Sequence, residues 1–365
     1  MFPAIGIAVE IKLFVLVSGL TFNRYTAIMK RLLLFLIGIL VFVLWIYYID
    51  PHEVWEIIKT THLAYLGVGF VFFFVSYLFK MVRWQLVLRP IQVVPFIQIA
   101  KYYWSCEFIN NFMPLRLGEL SKGAFLKKDY GLEFAQSLST IAADRIYGIF
   151  VRLIVLCSIP LLAIDLYPFL KGYLIYATSL ITCVLLLFLL LLLKDIKALR
   201  LMRKLLFFLP HLWVDKISHF IETSIAAVRQ VHTRKRDILL FLGISILALV
   251  AQSLRTYFFF RAVGLEVPLL IFLVTTTLSD FLVILPSPPA SLGTTEWYAN
   301  IIYTFGLGIS KNGVAGIALL THAIILLILA LLGVWSLTSL GYSILGDSRA
   351  KLKSNRAQME QRPIT

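Results

Sequence analysis

The fold is decided by the stretch Asn110-Asn111-Phe112-Met113-Pro114-Leu115-Arg116-Leu117-Gly118-Glu119-Leu120-Ser121-Lys122, a polar segment that lies between apolar ones. Proline lacks a backbone N–H and glycine permits conformations outside the helix, so Pro114 and Gly118 predict that a hydrophobic helix breaks here. If the chain is helical after the break, the three-residue spacing places Arg116, Glu119 and Lys122 on one face. Because polar backbone at membrane depth needs protein or water around it, we expect the fold to shelter this segment.

A looser copy of the pattern lies late in the chain, at Leu285-Pro286-Ser287-Pro288-Pro289-Ala290-Ser291-Leu292-Gly293-Thr294-Thr295-Glu296. Three of its residues echo three of the first stretch: Pro289, Gly293 and Glu296 correspond to Pro114, Gly118 and Glu119. Pro286 adds a further helix break. Helices that break at corresponding places in two halves are typical of transporters built from inverted repeats. We also expect Thr294 or Thr295 to cap a helix that begins near Glu296, whose free N–H groups would favour an anionic headgroup.

Composition places the chain in a membrane. Hydrophobic residues make up 60% of the sequence and the mean hydropathy is +0.89. These values predict an all-α polytopic membrane protein with a single transmembrane domain over residues 31–341. The net charge of +15 comes from basic residues between apolar runs, where it indicates orientation and not nucleic-acid binding. The three cysteines have no metal-ligand spacing, so no metal site and no cofactor is expected.

The positive-inside rule gives the order of the segments. We predict six full transmembrane helices and two oppositely oriented re-entrant hairpins that form an inverted repeat. The predicted spans are 32–49, 63–79, 135–164, 173–193, 238–260 and 313–341, and the re-entrant regions are 91–130 and 268–307. The remaining segments are an N-terminal extension at 1–30, a cytoplasmic amphipathic loop at 194–237 and a basic cytoplasmic tail at 342–365. Both termini are expected on the cytoplasmic side of a plasma (inner) membrane. Each hairpin could instead be a pair of full spans, which leaves the loop parity unchanged.

Charged residues inside the predicted membrane segments are the candidate site. A charge at membrane depth costs about 2.5 to 3.5 kcal/mol on insertion scales, so it is rarely kept without a partner or a cavity. The residues predicted to bind substrate are Arg116, Glu119, Arg145, Arg152, Arg255, Asp280 and Glu296. We expect Arg116, Glu119, Arg145 and Glu296 to converge on one cavity, where the planar guanidinium of Arg145 would hold a lipid phosphate. The alternative for Asp144 and Asp280 is that each pairs with an arginine and holds helices together.

The sequence carries no recognisable enzyme motif. The six histidines are scattered without an H-E-x-x-H pairing, and neither a G-x-S-x-G segment nor a P-loop is present. The loop at 194–237 and the tail are too small to form a catalytic domain. We therefore expect no catalytic residues and no enzymatic activity.

Three motifs resemble one family. These are Asn111-Phe112-Met113-Pro114-Leu115-Arg116-Leu117-Gly118-Glu119, then Ala143-Asp144-Arg145, and later Leu285-Pro286 with Pro289-x-x-x-Gly293-x-x-Glu296. Together they look like the lysylphosphatidylglycerol synthase transmembrane-region family, which includes the flippase half of the multiple peptide resistance factor. The family usually has glutamate at the position of Asp144. The resemblance implies re-entrant segments around a lipid-accessible cavity and a role in handling polar lipids. The synthase activity of the larger relatives resides in a separate soluble domain.

The function that these features favour is a flippase-like lipid translocator. The expected partners are a phospholipid or other polar lipid, the membrane, and a second copy of the chain in a homo-oligomer. One alternative is a non-catalytic accessory subunit beside a separate lipid-modifying enzyme of lipid-linked glycan, hopanoid or aminoacyl-lipid synthesis. Another alternative is a scaffold that transports nothing. A headgroup-sized polar cavity would favour the translocator. An enzyme bound at 194–237 would favour the accessory subunit, and a dry interior with all charges paired would favour the scaffold.

Overall fold

The computed structural model describes residues 36, 38–112, 118–162, 235–282 and 288–342. These residues are helical or lie in short connections, and no strand occurs among them. Several predictions concern other parts of the chain and lie outside the described residues. They are the extension, the fourth span at 173–193, nearly all of the amphipathic loop, the tail, and the residues Pro114, Arg116 and Pro286.

Ten α-helices cover most of the described residues. They are α1 (Gly38–Tyr48), α2 (Pro51–Lys59), α3 (Leu63–Leu88), α4 (Phe96–Phe112), α5 (Gly118–Tyr130), α6 (Phe134–Leu162), α7 (Lys235–Ala262), α8 (Leu269–Leu282), α9 (Thr294–Ala299) and α10 (Lys311–Ser339). A single 3₁₀ turn at Pro289–Ser291 precedes α9, and a π-helical segment at Asn300–Phe305 follows it. The connection between α4 and α5 is called the first break, and the connection between α8 and α9 the second break.

Three helices of the described part are long and apolar enough to cross a membrane: α3, α10 and Arg236–Ala262 of α7. They coincide with the predicted spans at 63–79, 313–341 and 238–260. At 1.5 Å per residue, the 26 residues of α3 measure about 39 Å, more than the hydrocarbon core of about 30 Å. Helix α6 covers residues 135–162 of the predicted span at 135–164 and has 29 residues, but it carries Asp144, Arg145 and Arg152.

Helix α3 runs nine residues beyond the predicted membrane span, which ends at residue 79. Its last turns are apolar and packed, because Trp84, Val87 and Leu88 are fully buried. The helix ends just before Pro90, which cannot supply the next backbone donor. Lys80 and Arg83, which the hydropathy pattern assigns to the cytoplasmic edge, therefore lie within the helix.

Hydrogen bonds show which of the connections between helices lie together at each end of the helix bundle. At one end, the Asp50 amide donates to Asn312 Oδ1 at 3.0 Å, and the His62 amide donates to the Ala262 carbonyl at 2.8 Å. At the other end, Lys128 Nζ donates to the Leu340 carbonyl at 2.7 Å. This pairing agrees with the predicted loop parity, in which the chain crosses once in α3, once in α7 and once in α10.

Further contacts show at which end of the bundle α4, α5 and α8 lie. Tyr102 near the start of α4 donates to Asp129 near the end of α5 at 2.6 Å, so this pair returns to the end that holds Leu340. Leu265, just before α8, packs against Gly313 at the start of α10, which places α8 and α10 at the opposite end. The Pro289–Ser291 turn of the second break lies alongside α4.

Helix α1 covers the second break. Gly293 has a φ of +77°, a conformation that favours glycine, and an added Cβ would lie 2.8 Å from the backbone nitrogen of Phe42. Trp297 Nε1 donates to the Val41 carbonyl at 3.0 Å. The prediction that a threonine caps the following helix is wrong, because α9 begins at Thr294 and Gly293 occupies the N-cap without a side chain.

Candidate functional site

A hydrogen bond joins the two helices that flank the first break. The amide of Gly118 donates to Asn110 Oδ1 at 2.8 Å, so an asparagine at the end of α4 caps the start of α5. A Cβ at Gly118 would collide with the Cys106 carbonyl oxygen and the Asn110 side chain. The start of α5 thus lies against the end of α4, because the chain has asparagine before the break and glycine after it.

The first-break group consists of Glu119, Lys122 and Arg145. The Glu119 carboxylate contacts the Arg145 guanidinium with one oxygen and Lys122 Nζ with the other, the latter at 3.3 Å. Lys122 is almost fully buried, with its Nζ 3.9 Å from the centre of the Tyr103 ring. The Arg145 side chain stays 52% exposed. The predicted common face of Glu119 and Lys122 is present, and a single carboxylate serves two cations.

Asp144 has a structural partner that the sequence pattern did not indicate. Arg83 of α3 donates to both carboxylate oxygens of Asp144, at 2.6 and 3.1 Å, and its Nη1 donates to Ser245 of α7 at 2.8 Å. Both side chains are buried. This bidentate pair ties α3, α6 and α7 together, which is the alternative stated above for Asp144. Arg83 was missed because it was assigned to the cytoplasmic edge, outside the predicted membrane span.

The interior group consists of Lys80, Arg152, Gln252, Arg255 and Asp280. Arg152 Nε donates to Asp280 Oδ2 at 2.7 Å, and Gln252 Nε2 contacts the two oxygens of the same carboxylate at 3.0 and 3.1 Å. Asp280 is therefore paired with an arginine, and the pair joins α6, α7 and α8. Three predicted site residues, Arg152, Arg255 and Asp280, meet in this group.

Two cations of the interior group have no counter-ion within the described ranges. Arg255 Nε is buried and has no hydrogen-bond partner there. Lys80 Nζ lies 4.9 Å from the centre of the Tyr77 ring and makes no ion pair with a described carboxylate. Both cations interact with the charge of Asp280 through space. Lys80 was missed for the same reason as Arg83. It lies inside the long apolar helix α3, and a charge inside an apolar segment is the feature by which the other candidate residues were chosen.

Glu296 belongs to neither the first-break group nor the interior group. It lies in the first turn of α9, after the second break. It is fully buried, and its Oε1 is 2.6 Å from Nδ1 of His322 in α10. Its Oε2 is buried without a partner in the described part of the chain. Glu296 thus contacts His322, whereas Glu119 contacts Arg145, and the single cavity shared by these residues stays a prediction. His322 was missed because scattered histidines gave no motif, yet it is a titratable residue inside an apolar span.

The described residues also form a surface depression between α1, α2 and α10. Its lining is apolar and includes no residue of the first-break group or the interior group, and neither Glu296 nor His322. It is formed by Phe42, Trp45, Ile46, Ile49, Pro51, Val54, Trp55, Ile58 and Leu319. A depression of this composition suits hydrocarbon and not a charged headgroup. The candidate site for a polar ligand is therefore the set of charged groups on α3 to α8.

An all-helical architecture with apolar spans and charged groups at membrane depth defines an integral membrane protein. The sequence matches the family described as the lysylphosphatidylglycerol synthase TM region over residues 32–333, so the chain belongs to this family. It is also 23% identical over 330 residues to the UPF0104 membrane protein PH1989 of Pyrococcus horikoshii, a match that covers 84% of this chain and 96% of the relative. The suspected family is thus confirmed, and a membrane and lipid context follows from it.

Proposed function

We propose that this protein translocates a polar, phosphate-containing lipid between the two leaflets of the membrane. The observation that carries the proposal is the Arg145 side chain, which is 52% exposed although it lies well inside α6. An arginine at such a depth is costly unless it faces a cavity or a polar ligand. Its contact with Glu119 holds one edge of the guanidinium and leaves donors on the others, which is the arrangement that suits a phosphate.

The proposal includes re-entrant hairpins at both breaks. A helix needs about 20 residues to cross the hydrocarbon core, whereas α4, α5 and α8 have 17, 13 and 14 residues. The start of α4 meets the end of α5, and the Pro289–Ser291 turn of the second break lies alongside α4. Two hairpins that enter from opposite ends and meet at mid-depth would complete the inverted repeat and bring their charged groups into the protein interior.

The lipid would move with its headgroup along α6 and its tails in the bilayer. Arg145 and Arg152 are seven residues apart, so they lie on one face of α6 and about 10 Å apart along its axis. The first-break group would receive the headgroup first, and the interior group would receive it next. No bond is made or broken in this scheme, so the proposal describes a transporter without enzymatic activity.

Replacing Arg145 tests the proposal. Arg145→Lys keeps the charge and removes the planar fork, so we expect translocation of fluorescent phospholipid in reconstituted vesicles to fall about tenfold to a hundredfold. The matched control is Arg261→Lys, because Arg261 also pairs with a carboxylate, that of Glu266, but lies at the end of α7. Wild-type protein that fails to translocate would overturn the proposal and favour the accessory role, and unchanged translocation by Arg145→Lys would remove Arg145 from the site.

Cysteine labelling tests the proposed topology in a plasma (inner) membrane with both termini in the cytoplasm. On a cysteine-free background, a cysteine at Lys59 or Lys311 should react with an impermeant thiol reagent in intact cells, because both residues lie at the end that holds Asp50. A cysteine at Lys128, which bonds the Leu340 carbonyl at the other end, should react only after lysis. Labelling at position 128 in intact cells would reverse the orientation.

A further inference from the structure

We propose that the interior group binds a phosphate that carries two negative charges, as a phosphate monoester does, and that Lys80 is one of its ligands. The inference rests on the proposed function for the lipid part of the ligand. The phosphate part rests on charges and contacts of the described residues. The sequence pattern did not single out Lys80.

The first step is the charge at depth in α3 to α8. The cationic side chains there are Lys80, Arg83, Lys122, Arg145, Arg152 and Arg255, and the carboxylates are Glu107, Glu119, Asp144 and Asp280. Six positive charges against four negative ones leave an excess of two. The carboxylates of Glu119, Asp144 and Asp280 are each engaged by at least one cation other than Lys80 and Arg255. The interior group has three cations, Lys80, Arg152 and Arg255, against the one carboxylate of Asp280, which is an excess of two. The first-break group has an excess of one, and Glu107 lowers the total to two.

The second step is the close approach of two positively charged guanidinium groups, those of Arg83 and Arg152. A Cβ at Gly148 would lie 3.0 Å from Arg152 Nη1 and 3.3 Å from Arg83 Nη1, so both guanidinium groups lie against the same point of α6. Glycine at this position makes room for them. Arg83 uses its donors on Asp144 and Ser245, while Arg152 uses Nε on Asp280 and has further donors. Two guanidinium groups this close repel each other unless negative charge lies nearby.

The third step is the arrangement around Asp280. Gln252 and Arg152 hold this carboxylate from two sides, which fixes the Arg152 guanidinium between α6 and α8. Arg255 lies one turn after Gln252 in the same helix, and Lys80 lies one turn before Arg83, whose guanidinium reaches the same point of α6 as that of Arg152. The cations Lys80, Arg152 and Arg255 therefore approach one region from three helices. Glu107 of α4 also interacts with Lys80 and is included in the charge count above.

The fourth step is the match between this excess and a ligand. A phosphodiester headgroup carries one negative charge, and a zwitterionic headgroup carries none in total. A phosphate monoester carries about two at neutral pH, because its second pKa is about 6, and it presents three acceptor oxygens. Three cations with free donors therefore match a monoester better than a diester.

Binding experiments on the full chain in detergent test this directly. We would measure the affinities of dioctanoyl phosphatidic acid, dioctanoyl phosphatidylglycerol and dioctanoyl phosphatidylcholine by calorimetry at pH 7.5. Phosphatidic acid should bind at least tenfold more tightly than phosphatidylglycerol. This ratio should fall toward one at pH 5, where the monoester has lost its second charge. Equal affinities for the two anionic lipids at pH 7.5 would overturn the inference.

Water-soluble competitors separate a lipid ligand from a free phosphate. Glycerol 3-phosphate and inorganic phosphate carry the same charged group without acyl chains. If they displace phosphatidic acid only at a concentration at least a hundredfold higher than its own, the lipid source is supported. If they bind as tightly as phosphatidic acid does, the dianionic site is supported and its ligand is a soluble phosphate.

Substitutions connect the selectivity to the named residues. Lys80→Gln and Arg255→Gln should each weaken phosphatidic acid binding at least tenfold and change phosphatidylglycerol binding by less than about threefold. The matched control is Lys101→Gln, which removes the same charge from α4, where Lys101 lies over the Trp335 ring. A selectivity that survives in both variants would overturn the assignment of these residues.

A stability measurement guards against variants that merely unfold. A buried cation without a counter-ion destabilises the ligand-free protein, so Lys80→Met and Arg255→Met should raise its melting temperature. A lower melting temperature would mean that these cations hold structural partners, and it would overturn the inference. Vesicle assays separate the two proposals, because selective binding without translocation refutes only the proposed function, and translocation without selectivity refutes only this inference.

Discussion

The first and second breaks share a proline and glycine pattern but differ in what surrounds them. The acid that follows the first break, Glu119, meets two cations, and one of these, Arg145, stays half exposed. The acid that follows the second break, Glu296, is fully buried against His322 beneath a break that α1 covers. The comparison teaches that the pattern specifies where the backbone turns, whereas the packing neighbours decide whether the turn is open to a ligand or closed.

Because of this difference, we expect Glu119 and Glu296 to have different roles. The contact between Glu119 and the half-exposed Arg145 contributes little stability, so under the proposed function the first-break group would exchange it for a contact with a headgroup. A buried pair that loses one partner leaves an uncompensated polar group, so the second break tolerates little change. The predictions below compare the two breaks, from the largest expected effect to the smallest.

Removing His322 should have the largest effect. His322→Leu leaves both oxygens of the buried Glu296 carboxylate without a partner in the described structure, and we expect the free energy of unfolding to fall by about 3 kcal/mol or more. Thermal unfolding in detergent measures this. The control is Thr321→Val on the same helix, which loses the hydroxyl's bonds to the Ile317 and Ala318 carbonyls and should cost about 1 kcal/mol. Equal losses in the two variants would contradict the importance of the Glu296 contact.

Replacing Gly293 should have the second largest effect. Gly293→Ala combines a left-handed conformation, which costs about 1 to 2 kcal/mol, with a collision against the Phe42 backbone, which adds about 1 to 3 kcal/mol. The control is Gly131→Ala, because Gly131 has a φ of +67° and open space around it. The difference between the two losses of stability measures the contact of α1 with the second break. Identical losses would show that only the backbone conformation matters there.

Neutralising Glu119 should have the smallest effect on stability. Glu119→Gln keeps an oxygen acceptor beside the buried Lys122 and weakens the half-exposed contact with Arg145, so we expect the free energy of unfolding to fall by about 1 kcal/mol, less than in the two variants above. The same substitution at the second break, Glu296→Gln, is the matched comparison and should cost more because that side chain is buried. If Glu119→Gln proves to be the more destabilising variant, the distinction between an open and a closed break is wrong.

The sequence predicted the location of both breaks because proline and glycine act locally on the backbone. It also predicted that Arg152 and Asp280 belong to the interior, since charges stand out within apolar runs. The sequence did not reveal the partners of the acidic residues, because the pairs Arg83–Asp144 and His322–Glu296 form only through tertiary packing. Lys80 and Arg83 were misplaced for a second reason: hydropathy falls at the first charge, whereas helix α3 continues for as long as Trp84 and its neighbours can be buried.

The cover that α1 places over the second break has a consequence for how the chain is assembled. Trp45 donates to Asn300 Oδ1 at 2.8 Å across 255 residues of sequence, so α1 meets these partners only after nearly the whole chain has been synthesised. Until then its apolar surface must remain in contact with lipid or with the insertion machinery. Contacts of such sequence separation form late and slowly, because a long loop must close before they form. Docking of α1 would therefore be a final step of folding, and the closed break would be the last part of the protein to mature.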